Sequence, residues 1–234
     1  MPLDYTTNLG RLDRLKNDLA LAVRRRVFDL FMRECRPGPD DRVADFGATG
    51  HADHPVHVFF ETLFPYPKNL TVIAREAEGA AWFPQRFPGV QFLEADLRSL
   101  PLSDGHFHAG ICNAVVEHAG SRAEQAALVR EVCRVCQRVM FTTPNRWFPV
   151  ELHTFLPFFH WLPEARYRAL LRRLGYAYFA EVHNLNLLDG RSLLELFPAD
   201  RHNRLFRMSP IGLSLVTSNL ACVSVRRDGH LRGR

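Results

Sequence analysis

The chain is short of every feature that marks a specialised class of protein. Its five cysteines (Cys35, Cys112, Cys133, Cys136 and Cys222) are odd in number and lack small-domain disulfide spacing. Cys133 and Cys136 form a C-x-x-C pair, but no second pair or His pair follows at zinc-ligand spacing, so no metal site is expected. The pair falls in a helical pattern, where residues three apart share a face, and reads as buried structural sulfur. A reducing, cytoplasmic compartment fits that reading. No apolar run reaches the roughly 18 residues that a membrane span needs. The start, Met1-Pro2-Leu3-Asp4, shows no basic stretch ahead of an apolar one, so no secretory leader is expected there. Repeats and low-complexity segments are not found. Aromatic residues do not alternate with the arginines, which argues against a base-stacking nucleic-acid surface.

What is there suits one α/β core. A chain of 234 residues is long enough to bury one, and 47% hydrophobic against 24% charged residues excludes disorder as the general state. The whole chain, 1–234, is therefore read as a single domain. The net charge of +5 is spread over separate amphipathic stretches that include Arg24, Arg25, Arg26, Arg166, Arg168, Arg172 and Arg173. Solvated helix faces explain this, and attraction to an anionic acceptor or a membrane surface is the alternative.

Apolar spacing predicts the elements in order. Leu12, Leu15, Leu19, Val23, Val27, Leu30 and Phe31 recur at helical period, giving a helix over 11–34 within an N-terminal helical region of about 1–36. The Arg-Pro-Gly-Pro-Asp-Asp run at 36–41 breaks it. Strands are predicted at 43–46, 70–74, 90–93, 107–115 and 138–143. A helix capped by Asp53, with Phe59, Phe60 and Leu63 inward, lies between the first two strands. Ser121 and Glu124 form a capping box that opens another helix, with Leu128, Val132 and Val135 facing the core. Near-continuous apolar strands alternating with helices signal a parallel sheet covered on both faces. In such sheets the ligand crevice lies at the carboxyl ends of the strands.

Four strand ends carry polar or glycine signatures in sequence order. After the first comes Asp45-Phe46-Gly47-Ala48-Thr49-Gly50, where glycine lets backbone approach a ligand closely. After the second comes Glu76, placed to accept hydrogen bonds from a ribose diol. After the third comes Glu94-Ala95-Asp96-Leu97, and after the fourth Asn113-Ala114-Val115-Val116-Glu117-His118. This series, over about 41–145, resembles the class I S-adenosylmethionine-dependent methyltransferases, in particular a branch whose fourth strand ends in a Glu-His pair. The resemblance implies a Rossmann-like, doubly wound α/β fold: a seven-stranded, mostly parallel sheet with an antiparallel last strand. Residues 204–226 would supply its final hairpin. It also implies S-adenosyl-L-methionine as cofactor, held by Asp45, Gly47, Ala48, Gly50, Glu76, Asp96, Leu97 and Asn113. The methionine part falls to the glycine loop, the ribose to Glu76 and the adenine to Asp96. The sequence departs from the family's Asp-x-Gly-x-Gly-x-Gly by keeping only Gly47 and Gly50, with His51 beyond.

Beyond the fifth strand, about 146–200 reads as a helical insertion on the acceptor side. Its Trp147, Phe148, Phe155, Phe158, Phe159 and Trp161 suit an acceptor pocket or lid, core packing under the insertion, or a peripheral membrane contact. A similar stretch occurs in bacterial methyltransferases associated with cell-surface glycan or lipid modification. The acceptor is accordingly expected to be a small molecule, sugar or lipid. If it is a hydroxyl, a base is needed, and His118 is the first candidate, with His153 and Glu151 behind it. The alternative for His118 is a hydrogen bond to the strand end or to the cofactor carboxylate. Two rival functions remain open. A nicotinamide-dependent oxidoreductase would want Gly-x-Gly-x-x-Gly, which Gly47-Ala48-Thr49-Gly50 does not supply. A non-catalytic binding or scaffold module would explain the eroded glycine loop.

Overall fold

A computed structural model of the chain describes residues 11–48, 56–75, 79–209 and 217–227. Helix α1 (Arg11–Cys35) leads into β1 (Val43–Phe46), the short α2 (Phe59–Leu63), β2 (Leu70–Ala74), α3 (Gly79–Arg86) and β3 (Gln91–Glu94). Then come β4 (Phe107–Asn113), α4 (Arg122–Val135), β5 (Cys136–Pro144), α5 (Glu164–Arg173), α6 (Gly190–Leu194), β6 (Arg201–Met208) and β7 (Asn219–Arg226). Seven strands form one sheet in the order β3-β2-β1-β4-β5-β7-β6. Strands β1 to β5 pair in parallel, and only β7 runs against its neighbours β5 and β6. The order reverses at β1, which sits between β2 and β4, so the crevice above β1 is the switch point where such sheets bind ligands.

The alternation of side chains along each strand divides the core into two layers. Val43, Leu70, Val72, Ile111 and Met140 face α1, α2 and α3, meeting Val27, Phe31, Phe60 and Phe83. Ala44, Phe46, Ile73, Cys112 and Phe141 face the other way, against Leu128, Val129 and Val132 of α4 and Leu193 of α6. Each fully buried Leu, Ile or Phe contributes about 1.5–3 kcal/mol to holding its layer on the sheet. The same alternation turns Asp45 toward α1 and α2, although it lies between Ala44 and Phe46, which point away.

Local differences from the expected elements have local causes. Helix α1 stops at Cys35 because Arg36 adopts a positive φ of 48° and Pro37 follows. Strand β4 ends at Asn113, two residues early, because Ala114 takes φ 55° and turns the chain into the 3-10 turn 116–118. Strand β3 lies one residue later than expected, and Cys136 opens β5 instead of continuing α4, so Cys133 and Cys136 do not share a helix face. All five cysteines are buried free thiols. The expected capping box is formed, with Glu124 N donating to Ser121 Oγ and Ser121 N donating to Glu124. Helix α2 begins after Val58, and the cap expected at Asp53 lies outside the described residues. Among the described residues, no helix is long and apolar enough to cross a membrane.

Candidate functional site

The carboxyl ends of β1 to β4 open onto a cleft of about 330 Å³. Gly47, Asp96, Leu97, Val115 and His118 are among the residues lining it, so the sequence-predicted ends of strands one, three and four converge. Gly50 and Glu76 lie outside the described residues. Gly47 needs its missing side chain twice over: its φ is +84°, and a Cβ there would stand 2.5 Å from Val115 Cγ2. Its N–H donates to Ile73 O across the sheet. Ala48 is half-buried and packs against the core layer beneath α1.

Two residues before Gly47, Asp45 belongs to a buried acidic cluster. Asp45 and Glu61 are both buried, close enough for each charge to be felt by the other. Burial pushes Asp45 up to about 7, against the pull of the nearby Arg24 charge. Glu61 is held well above its ordinary range by burial first and by the neighbouring Asp45 charge second. Neither Glu61 oxygen has a donor among the described residues. Arg24 reaches in from α1: its Nη1 donates to Asn113 Oδ1 at 2.7 Å, and its guanidinium lies 5.6 Å over the Phe59 ring. Its Nε is buried without an acceptor. Asn113 Oδ1 also accepts from Thr142 Oγ1 at 2.7 Å, which fixes the end of β4 to β5. Orphaned acceptors on Glu61 and an orphaned donor on Arg24 form a cradle suited to an ammonium and a carboxylate on one ligand.

At the far lip Asp96 is half-exposed and clasped by Arg98, whose Nη2, Nε and backbone N–H all donate to it. The Arg98 hydrogen bond holds its carboxyl down to about 2. Leu97 beside it is buried against the α4 layer.

The opposite wall joins residues distant in sequence. Glu151 is buried, its Oε1 accepting His153 Nδ1–H at 2.6 Å and its Oε2 accepting the Thr154 hydroxyl and N–H, each at 2.7 Å. His153 Nε2 in turn lies 3.3 Å from His118 Nε2. His118 Nδ1 is 2.6 Å from the carbonyl oxygen of Asn184, which can only accept, so that nitrogen carries the hydrogen. Glu117, preceding it, is fully buried; its Oε2 accepts from Thr143 Oγ1 at 3.0 Å, and its Oε1 has no donor. Burial works against a charged His153, but the Glu151 hydrogen bond and charge outweigh it and raise the ring above its ordinary value. The reverse balance lowers Glu151 despite its burial. All three candidate base residues thus form one chain, Glu151–His153–His118, at the edge of the cleft.

Most aromatics of the 147–161 segment are exposed, while Phe148 is half-buried. Trp147, Phe155, Phe158, Phe159 and Trp161 are exposed, and only His160 is buried among them, which removes the core-packing explanation. Trp161 contacts both Trp147 and Phe158, making a continuous apolar surface.

Sequence reasoning passed over Arg24, Glu61 and Asn184. Arg24 is hidden in the run Arg24-Arg25-Arg26, but it adjoins Val23, on the apolar face of α1. Glu61 is an acid inside the apolar stretch Phe59-Phe60-Glu61-Thr62-Leu63-Phe64, a sign that was available. Asn184 acts through its backbone carbonyl, which no side-chain pattern reveals.

Residues 59–139 match the family model of the methyltransferase domain. No curated protein matches the sequence. Among solved structures, the fold is similar to that of geranyl diphosphate C-methyltransferase from Streptomyces coelicolor A3(2). That likeness has a TM-score of 0.58 and 12% identity, covering 97% of this chain and 90% of the other. The N-methyltransferase NodS from Bradyrhizobium japonicum WM9, solved with S-adenosyl-l-homocysteine, gives a TM-score of 0.52 and 12% identity, over 96% of this chain and 92% of that one. The YcgJ protein from Bacillus subtilis gives 0.54 and 14%, covering 88% and 100%. These likenesses carry the fold, a Rossmann-like methyltransferase architecture. With the match over residues 59–139 they give a methyltransferase domain on that architecture, and S-adenosyl-L-methionine is the methyl donor that accords with it.

Proposed function

We propose that the protein methylates a hydroxyl group on a lipid-like or other amphiphilic small acceptor. The observation that carries this reading is the Glu151–His153–His118 chain, which ends at His118 in the cleft lining, in a protein that also exposes several aromatics of the 147–161 segment. The donor end fits S-adenosylmethionine: Asp45 and Glu61 face its ammonium, Arg24 its carboxylate, and Gly47 lets its backbone pass close. Ala48 and Asn113 shape the same floor, while Asp96 and Leu97 flank the adenine. When bound, the cofactor supplies an electrophilic methyl group on a good leaving group, so alignment supplies most of the acceleration.

The chain's own residues then do two things. The cleft wall excludes water and presents the acceptor's oxygen to the donor end. His118 Nε2, whose ring is fixed by the Asn184 carbonyl, takes the hydroxyl proton, and His153, anchored by Glu151, shares the charge that results. A nitrogen or carbon acceptor would have less use for a base so oriented. The aromatic surface around the entrance suits an acceptor with an apolar body, and a peripheral contact of that surface with a membrane would bring such an acceptor to the cleft.

The test uses labelled methyl groups. The full-length protein is incubated with methyl-labelled S-adenosylmethionine and either a total lipid extract or the water-soluble fraction of the same cells. Label is expected in base-stable methyl ethers of the organic phase. His118→Asn should lower its formation by roughly 10²–10⁴-fold with donor affinity unchanged by calorimetry. Label confined to amines, or unchanged turnover in His118→Asn, would overturn the reading.

A further inference from the structure

The geometry points to a binding site for a divalent transition-metal ion formed by His118, His153 and Glu117. Both imidazoles have their Nδ1–H committed, one to the Glu151 carboxylate and one to the Asn184 carbonyl, each at 2.6 Å. Each neutral ring therefore turns its Nε2 lone pair toward the other, and the two nitrogens stand only 3.3 Å apart. Two lone pairs so close need a positive charge between them. A proton serves for two nitrogens, but it leaves a third group unexplained. Glu117 is fully buried, its Oε1 has no donor, and a carboxylate oxygen of this residue lies within 4.8 Å of both nitrogens. A buried acceptor without a donor is costly, and a cation placed among the three groups removes that cost.

The spacing fits an ion. Nitrogens at about 2.05 Å from a tetrahedral centre stand about 3.3 Å from each other, the separation of typical zinc–imidazole bonds. A modest rotation of Glu117 completes a two-histidine, one-carboxylate set on one side of the ion, leaving its remaining positions toward the cleft. Imidazole ligands favour Zn²⁺, Fe²⁺ or a similar ion over Mg²⁺, which prefers oxygen and keeps its waters. The supporting contacts are those of a built site: each ring is aimed by an acceptor on its far nitrogen, and Thr143 holds the second Glu117 oxygen. The exposed edge of His118 gives the ion a way in. No spacing rule could show this set, since the two histidines are 35 positions apart and the carboxylate adjoins one of them.

The ion's role, though not its site, rests on the proposed hydroxyl acceptor. With the ion bound both Nε2 atoms are ligands, so His118 no longer takes the proton: the ion would bind the acceptor oxygen and make its proton acidic, the proton leaving to water. The experiment needs neither acceptor nor cofactor. Full-length protein is stripped with a chelator and titrated with Zn²⁺ by calorimetry, and Co²⁺ loading is followed by its visible ligand-field absorption. One equivalent with a tetrahedral or five-coordinate cobalt spectrum is expected. His153→Ala should abolish the stoichiometric step, and Glu151→Gln, which only aims the ring, should weaken it by roughly tenfold to a hundredfold. Glu117→Gln should alter the cobalt spectrum; if that variant is poorly folded, the two His153 and Glu151 variants decide alone. Absence of stoichiometric Zn²⁺ binding by the wild type, or binding unchanged in His153→Ala, overturns the site. S-adenosylmethionine titrated into the same samples reports the donor end separately, so loss of the ion with the donor retained leaves the methyltransferase reading intact.

Discussion

The two ends of the cleft are built in different ways. The donor end stands on paired strands: Asp45 is in register with Val72 on one side and Ile111 on the other, and Asn113 with Thr142. Its groups cannot move without disturbing the sheet. The acceptor end is assembled from a 3-10 turn, a loop at 151–154 and the carbonyl of Asn184, joined by side-chain hydrogen bonds. A rigid frame suits a donor that is the same in every reaction of the class, while loops allow the acceptor to differ. The comparison also predicts where damage should show. Lesions at the donor end should abolish cofactor binding and cost stability; lesions at the acceptor end should spare both.

The largest effect should come from Gly47→Val. The left-handed backbone alone costs about 1–2 kcal/mol for a residue with a Cβ, and the 2.5 Å approach to Val115 adds to it. We expect a lower melting temperature and no measurable cofactor binding by calorimetry. Normal cofactor affinity in this variant would break the distinction between the two ends.

Glu61→Gln should act on the same end in the opposite sense for stability. Asp45 is raised in the folded protein, so the native state binds more protons than the unfolded chain between about pH 4 and about pH 7. Stability therefore falls as pH rises through that window. Glutamine keeps a donor toward Asp45 and removes the second acid, so the pH slope should flatten and the variant should be the more stable one at pH 8. Cofactor affinity should meanwhile drop by about tenfold to a hundredfold, the worth of one charge-assisted hydrogen bond. Denaturant melts at several pH values and a donor titration measure both. An unaltered slope would show that the acid pair is not the origin of the pH dependence.

The same contrast governs what the sequence could tell. The strand ends were legible because they follow one another in the chain at regular intervals: Gly47, Asp96 and Leu97 do line one cleft, and the sheet agrees with the fold that the series implied. Apolar period also placed β1 and β2 to the residue. Arg24 escaped because helix α1 precedes the sheet and only tertiary packing brings it over Phe59. His118, His153 and Glu151 were chosen as candidates by residue type, but their hydrogen-bonded union was invisible, since it depends on how the 151–154 loop folds back on the turn after β4. The outward direction of the 147–161 aromatics was equally undetermined, because neither helical nor strand period governs that stretch. Periodicity reports which face of an element is buried, and residues outside regular elements carry no such signal.

The smallest change in stability should accompany the most specific change in function. Trp147 and Phe158 both contact Trp161 while remaining about half exposed, at 54% each. Replacing both with serine removes little buried surface, so the melting temperature should move by less than about 0.5 kcal/mol equivalent per site. Donor binding, which rests on other elements, should be unchanged. If the surface receives the apolar part of an acceptor, however, the half-saturating concentration of a long-chain acceptor should rise while that of a short water-soluble analogue stays the same. Vesicle co-sedimentation of the same variant separates two causes: loss of sedimentation places the aromatics on a membrane, and retained sedimentation places them on the acceptor itself. Equal kinetics for both acceptor lengths, with sedimentation retained, would mean that the aromatic surface serves neither, and the acceptor would have to be sought among polar molecules that reach His118 directly.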